Sequence, residues 1–333
     1  MKKYTKLSDQ DISFFETVYG DRMITDKEFM STYAQDETED LIYYPAVVVI
    51  PISTKEVSNT LKYCSENKIP VTPAGARTGL SGGSLPIFGG VLLSSEKLNR
   101  IIEIDEKNHQ VVTEPGVITE VLQDAVKAKG LFYPPDPASK GSCFIGGNIA
   151  ENSGGPKAVK YGVTADYVLN LELVLPNGEI IWTGANVLKN ATGYNLTQLI
   201  VGSEGTLGMV TKIVLKLIPH PTNDLLMLVP FFDAEKACEA VAAIFRAGIT
   251  PSGLEFMERD ALIWTQKFTN DTSIHVADNH AAHLLIEVDG FDSEQLMKEC
   301  EGIINVIEDF ETDEILFADS AAQKDTLWSL RRK

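Results

Sequence analysis

Neither a disulfide framework nor a zinc centre can be assembled from this chain, because its four cysteines, Cys64, Cys143, Cys238 and Cys300, are scattered and no C-x-x-C occurs. A reducing cytoplasm is the expected location. No run approaches the ~18 apolar residues that a membrane helix needs, so no transmembrane segment is expected. Polar residues follow Met1-Lys2-Lys3 where a secretory leader needs an apolar stretch. Basic clusters are missing too. With 47 acidic against 29 basic side chains the formal charge is −18, which repels polyanions and argues against nucleic acid as a partner. Repeats and low-complexity tracts do not occur, and 333 residues leave room for two domains.

What the chain does have is glycine gathered into three segments. Residues 70–84 read PVTPAGARTGLSGGS, residues 134–156 read PPDPASKGSCFIGGNIAENSGGP, and residues 201–210 read VGSEGTLGMV after LKNATGYNL at 188–196. The first is expected to leave a strand and to form a nest of backbone N–H groups for a phosphate, its glycines taking φ > 0. Its spacing fits neither G-x-G-x-x-G nor G-x-x-x-x-G-K-[ST], which excludes the Rossmann and Walker loops. The second segment is too long for a plain connector and is read as a functional loop lined by small residues and short amides.

Around these segments the periodicities alternate. Residues 13–18 and 26–33 read as short helices of an N-terminal helical extension, 1–40, to which no chemistry attaches. A strand at 47–50 precedes Ser53 and Glu56, which predict a capping box for a helix bearing Val57, Leu61 and Cys64. Strands are predicted at 91–94, 101–104 and 110–113, and Thr119 is predicted to cap a helix closed by Gly130. Asn177-Gly178, between strands at 169–175 and 179–183, predicts a type I′ hairpin. After a strand at 210–217, Pro219 and Pro221 place a domain boundary. Beyond it come strands at 225–231, 254–257, 283–288 and 315–318, with helices after Asp233 and Ser293. The acidic run 308–314 reads as a solvated turn. His280 and His283 could form an i,i+3 metal pair if they shared a helix, but no third ligand accompanies them and the pair abuts a strand, so no metal is expected.

The three glycine segments, in this order and separation, resemble the FAD-binding domain of the vanillyl-alcohol oxidase and p-cresol methylhydroxylase type. The likeness is strongest to the branch of glycolate oxidase D-subunits, D-lactate dehydrogenases and D-2-hydroxyglutarate dehydrogenases, and covers residues 41–219 strongly. It implies an α+β chain: a two-subdomain FAD-binding domain, 41–219, followed by an α+β cap, 220–333, incomplete at its C-terminus. Ala74, Gly75, Ala76, Arg77, Thr78 and Gly79 would then hold the FAD pyrophosphate. Pro135, Asp136, Ser142, Gly146, Gly147, Asn152 and Gly154 would line the ribityl and isoalloxazine side. Glu204, Gly205, Gly208 and Val210 would close over the adenosine portion, with Glu204 accepting from ribose hydroxyls. Some relatives attach FAD through a histidine near the first loop; none of His109, His220, His275, His280 and His283 lies there, so a non-covalent cofactor is expected.

The same resemblance implies oxidation of a small D-2-hydroxyacid to the 2-oxoacid by hydride transfer to flavin. The electron acceptor would be a quinone, an electron-transfer protein or an iron–sulfur subunit, and a homodimer is compatible with it. In that branch an arginine after a Leu-Trp pair holds the substrate carboxylate, and Leu327-Trp328-Ser329-Leu330-Arg331 makes Arg331 the candidate. The branch's base and metal motif would lie past Lys333, so these residues are expected to bind FAD and to turn over little alone. Two other readings stay open: a nicotinamide-dependent reductase on the same fold, and a non-catalytic FAD or electron-transfer module.

Overall fold

The computed structural model describes residues 4–332; the leader reading of Met1–Lys3 and the terminal Lys333 lie outside them. The described residues form two compact units. The first runs to Tyr133 and includes Ser139–Ser153 and Val163–Pro219; the second comprises Pro134–Ala138, Gly154–Gly162 and the chain from His220 onward.

Two large sheets, with a small pairing of Leu131–Phe132 and Ile218–Pro219, build the first unit. Met23–Ile24, Val47–Val49, Val91–Ser94 and Val71–Ala74 lie side by side in that order, parallel except for the first pair. Helix Thr54–Asn67 makes the crossover between Val47–Val49 and Val71–Ala74, as a parallel pair requires. The second sheet is antiparallel, in the order Ile101–Asp105, Gln110–Thr113, Met209–Lys216, Val168–Val174, Ile180–Trp182. The N-terminal extension is part of this unit's core. Helix Asp9–Tyr19, capped by Ser8, buries Phe15 and Tyr19 against Val47, Val57 and Cys64. The predicted helix at 26–33 is shorter, Lys27–Met30, and tightens to a 3₁₀ turn over Ser31–Tyr33.

Three local expectations change. Ser53 Oγ does accept the Glu56 N–H, but the Glu56 carboxylate takes the Ile52 N–H and Arg22, because the ion pair outcompetes the second half of a capping box. Thr119 is the first helical residue rather than the cap, its hydroxyl engaged with Cys143 and Asn148, and the helix ends at Lys127, ahead of Gly130. The hairpin turn is not type I′. The Gly178 N–H donates to Leu175 O, so Pro176 and Asn177 are the central residues, and Gly178 alone has φ > 0, at +85°. Proline's fixed negative φ selects a type I turn with a following left-handed glycine. A Cβ at Gly178 would stand 2.8 Å from Ser58 O and 2.7 Å from Lys62 Cβ. Gly178→Ala is therefore expected to cost about 2 kcal/mol, seen as a lower thermal midpoint; an unchanged midpoint would refute the close approach.

The second unit is a four-stranded antiparallel sheet, Gly253–Glu258, Ala282–Gly290, Asn223–Phe231, Leu316–Ala318. One face, with Val229, Ile286 and Val288, packs against helices Ala234–Arg246 and Ser293–Ile307. The other carries Leu285 beside Leu327 and Trp328 of helix Ala321–Arg332. His280 and His283 do not share a helix: His283 lies in a strand and His280 just before it, hydrogen-bonded to Asp313 at 3.1 Å. Burial, then the nearby His280, pushes His283 down to about 4. Asp313, itself exposed in the acidic turn, thus meets a buried imidazole. Among the described residues no helix is long and apolar enough to cross a membrane, and no three His, Cys, Asp or Glu side chains are placed to hold a metal.

Candidate cofactor-binding site

The strand Val71–Ala74 runs into the first glycine loop, and a cleft of ≈ 180 Å³ opens there. Ala74, Gly75, Ala76, Arg77, Thr78, Gly79, Gly146, Gly147, Glu204, Gly205, Gly208 and Val210 all line it. Three segments far apart in sequence thus meet in one place. Ser142 and Asn152 do not line it. Ser142 is exposed and its hydroxyl donates to Ser139 O, while Asn152 caps a helix in the left-handed region and accepts the Ala165 N–H at 2.8 Å. Pro135, Asp136, Gly154 and Arg331 belong to the second unit. There Asp136 accepts the Lys157 N–H, and Arg331 is ion-paired with Glu255.

The second glycine segment is not a loop throughout. Residues Ile145–Glu151 form a helix, despite the propensity cost of two glycines. Gly146 is required there because a Cβ would come within 2.5 Å of Pro115 Cβ. Gly147 is required by nothing in the chain: a Cβ would meet no atom within 4 Å, and the residue faces the cleft. Gly79 is the same, and Gly75 nearly so, its closest neighbour being the Gly147 backbone at 3.8 Å. This corrects the expectation of positive φ at Gly75 and Gly79. In the first loop the left-handed residues are Arg77 and Gly82, so Gly75 and Gly79 serve to leave space.

Among the described residues no acceptor takes the backbone N–H groups of Ala76, Arg77, Thr78 or Gly79. Such a row of unpaired donors suits an anion. The cleft also carries carboxylates. Glu151 and Glu204 close on Gly83, where a Cβ would be 3.3 and 3.2 Å from their oxygens, and Asp36 lines the same wall. Burial, then the charge of Glu204, raises the Glu151 carboxyl above its ordinary value against a hydrogen bond from Ser81. Donors for phosphate and acceptors for hydroxyls in one cleft match the pyrophosphate and the neighbouring sugar hydroxyls of a dinucleotide. The empty space beside Gly79 and Gly147 is where a Cβ would fill the cradle.

Reading the sequence missed Asp36 and Glu151. Glu151 stands four residues after Gly147 on one helix face, a signal hidden once the segment is taken as a loop. Asp36 has no sequence signature. Cys143 is buried at the cleft wall with its Sγ 3.3 Å from Thr119 Oγ1.

The FAD binding domain family matches residues 45–184, and the family of C-terminal domains of FAD linked oxidases matches residues 220–333. A D-lactate dehydrogenase of Anaerostipes hadrus is 39% identical over 99% of this chain and 70% of its own length. The chain belongs to the FAD-linked oxidases. This FAD-linked oxidase is also 42% identical to the glycolate oxidase subunit GlcD of Bacillus subtilis, over 90% of the chain and 65% of that relative. A D-2-hydroxyglutarate dehydrogenase of Stutzerimonas stutzeri is 38% identical over 64% of the chain and 46% of its own length. The chain therefore spans only part of the length of each of these relatives. Substrate-bound p-cresol methylhydroxylase shares the fold, with a TM-score of 0.80 at 19% identity over 98% of the chain and 70% of that structure. FAD is the cofactor of this FAD-linked oxidase, and the residues of the cleft fit it.

Proposed function

We propose that this chain is the FAD-binding and substrate-facing part of an enzyme that oxidises a D-2-hydroxyacid, of the D-lactate, glycolate or D-2-hydroxyglutarate kind, to the 2-oxoacid. The observation that carries the reading is the cleft in which unpaired N–H groups and paired carboxylates meet, in a chain 39% identical to a D-lactate dehydrogenase. Bound FAD supplies the two-electron acceptor for the α-hydrogen. The chain's own residues bind and orient. The N–H groups of residues 76–79 receive the pyrophosphate, and Glu204 accepts from ribose hydroxyls. Arg331 is the candidate for the substrate carboxylate; its present partner, Glu255, is itself a carboxylate, so the guanidinium is already set up for that chemistry. Pro135, Asp136, Ser142, Asn152 and Gly154 are proposed for the ribityl and isoalloxazine side on the family resemblance alone, since none of them lines the cleft. The electron acceptor would be a quinone, an electron-transfer protein or an iron–sulfur subunit, and a cytoplasmic location and a homodimer accord with this reading.

The cofactor is proposed to be held without a covalent bond, since no histidine lines the cleft. Acid precipitation of the protein carrying this chain is expected to leave the yellow colour in solution. Anaerobic addition of D-lactate, glycolate or D-2-hydroxyglutarate to the same protein is expected to bleach its flavin, with L-lactate far slower. Bleaching by a reduced nicotinamide, and by no 2-hydroxyacid, would replace this reading with that of a reductase.

A further inference from the structure

The glycine loop is shaped at its centre by a residue that is not glycine. Arg77 has φ +60°, a region that L-residues with a Cβ enter at a cost and keep only when their surroundings hold them there. Its guanidinium is held three ways. Nε donates to Thr32 O at 2.9 Å, Nη1 donates to Gly75 O at 3.2 Å, and the group lies 4.4 Å above the Tyr33 ring. Tyr33 is fixed in turn. It is buried among Met30, Val48 and Leu92, and its hydroxyl donates to Glu96 Oε2 at 3.0 Å, which also accepts from Ser94 Oγ. Beside this anchor the Glu37 N–H donates to Gly79 O at 3.1 Å. Every partner belongs to the first unit. The N-terminal extension, to which the sequence attached no chemistry, therefore grips the loop that faces the cleft.

We propose that Arg77 is a positioning residue: its side chain, seated on Thr32 and Tyr33, holds its own backbone left-handed so that the loop presents its N–H groups to the FAD phosphates. The inference rests on FAD binding in this cleft and not on the identity of the hydroxyacid. Without the anchor, a Cβ-bearing residue at position 77 relaxes to negative φ, the flanking peptide planes turn, and the donors no longer converge. Glycine at the same position needs no anchor, because it takes positive φ freely.

The test is to titrate FAD into cofactor-stripped protein by flavin fluorescence, comparing Arg77→Ala with Arg77→Gly. Both lose the guanidinium and differ only in the Cβ. Arg77→Ala is expected to bind roughly 5- to 30-fold more weakly than wild type, the factor that corresponds to holding a Cβ left-handed. Arg77→Gly should stay within about threefold of wild type. Tyr33→Leu keeps the core filled and is expected to weaken binding as Arg77→Ala does, whereas Tyr33→Leu combined with Arg77→Gly should match Arg77→Gly alone. Equal weakening in Arg77→Ala and Arg77→Gly would overturn the proposal, since the side chain would then act on the cofactor directly. So would unchanged affinity in Arg77→Ala. If Tyr33→Leu does not fold, the alanine–glycine pair still decides. Failure of hydroxyacids to bleach the flavin would remove the substrate reading and leave this titration intact.

Discussion

Lys157→Met is expected to destabilise the second unit by about 3–5 kcal/mol, because it strips the cation from a buried carboxylate pair. Glu287 and Asp289 are only 4% and 3% exposed. The Lys157 ammonium contacts both, while Ser252 and Trp328 donate to Glu287 and Lys160 and Tyr161 donate to Asp289. Burial alone would raise the Asp289 carboxyl; the Lys157 charge and its hydrogen bonds hold it below its ordinary value. Burial likewise works to lower Lys157, and the two carboxylates raise it. The signs give the pH dependence. Asp289 contributes fully above its ordinary value of 3.8 and loses that contribution as pH falls through its lower folded value. Lys157 contributes fully below 10.5 and loses it as pH rises through its higher folded value. In the variant the Asp289 carboxyl loses the charge that holds it down, so the deficit should shrink as pH falls toward its ordinary value of 3.8. Adding Glu287→Gln should recover part of it. Denaturant unfolding followed by tryptophan fluorescence, in a Trp182→Phe background that leaves Trp264 and Trp328, reads this unit. A pH-independent deficit, or none, would show that the ion pair is not what holds residues 154–162 to the strand.

The second large effect is expected at Gly79 and Gly147, where valine should remove cofactor binding without unfolding the protein. A Cβ at either position would meet no atom within 4 Å, and both positions line the cleft. Overpacking of this kind costs about 1–3 kcal/mol per site, so each single variant should lose roughly 5- to 150-fold in FAD affinity, and the pair more. Thermal midpoints of the cofactor-free proteins should stay together. Gly205 and Gly208 make the control. A Cβ at Gly205, where φ is +70°, would lie 2.6 Å from Pro73 Cγ, and one at Gly208 would lie 2.6 Å from Val174 O. Valine there should lower the midpoint of the cofactor-free protein itself. Full FAD affinity in Gly79→Val would mean that the cofactor does not pass over this loop.

Much of the fold was legible because its signals are local. The Val47–Val49 run, the Ser53 cap, the alternation through Met209–Lys216 and the Asp233 cap each depend on neighbours a few residues away. Where a local rule failed, a contact from elsewhere had won. Arg22 drew the Glu56 carboxylate out of the capping box, and Pro176 set the turn that Asn177-Gly178 alone suggested otherwise. Helix Ile145–Glu151 was illegible because its glycines are placed by what they must not touch, Pro115 on one side and the cleft on the other.

By itself the sequence determined the chemistry available: three glycine-rich segments able to offer backbone donors, and an acidic residue in the third. Only the tertiary structure decided which glycine answers to the backbone and which to empty space, since a φ value and a distance to a remote atom are not properties of one residue. It also drew the N-terminal extension into the site. Thr32, Tyr33 and Asp36 carry no motif, and they reach the glycine loop because helix Asp9–Tyr19 and the strand Met23–Ile24 dock on the first sheet, turning apolar burial at Phe15 and Tyr19 into the placement of Arg77.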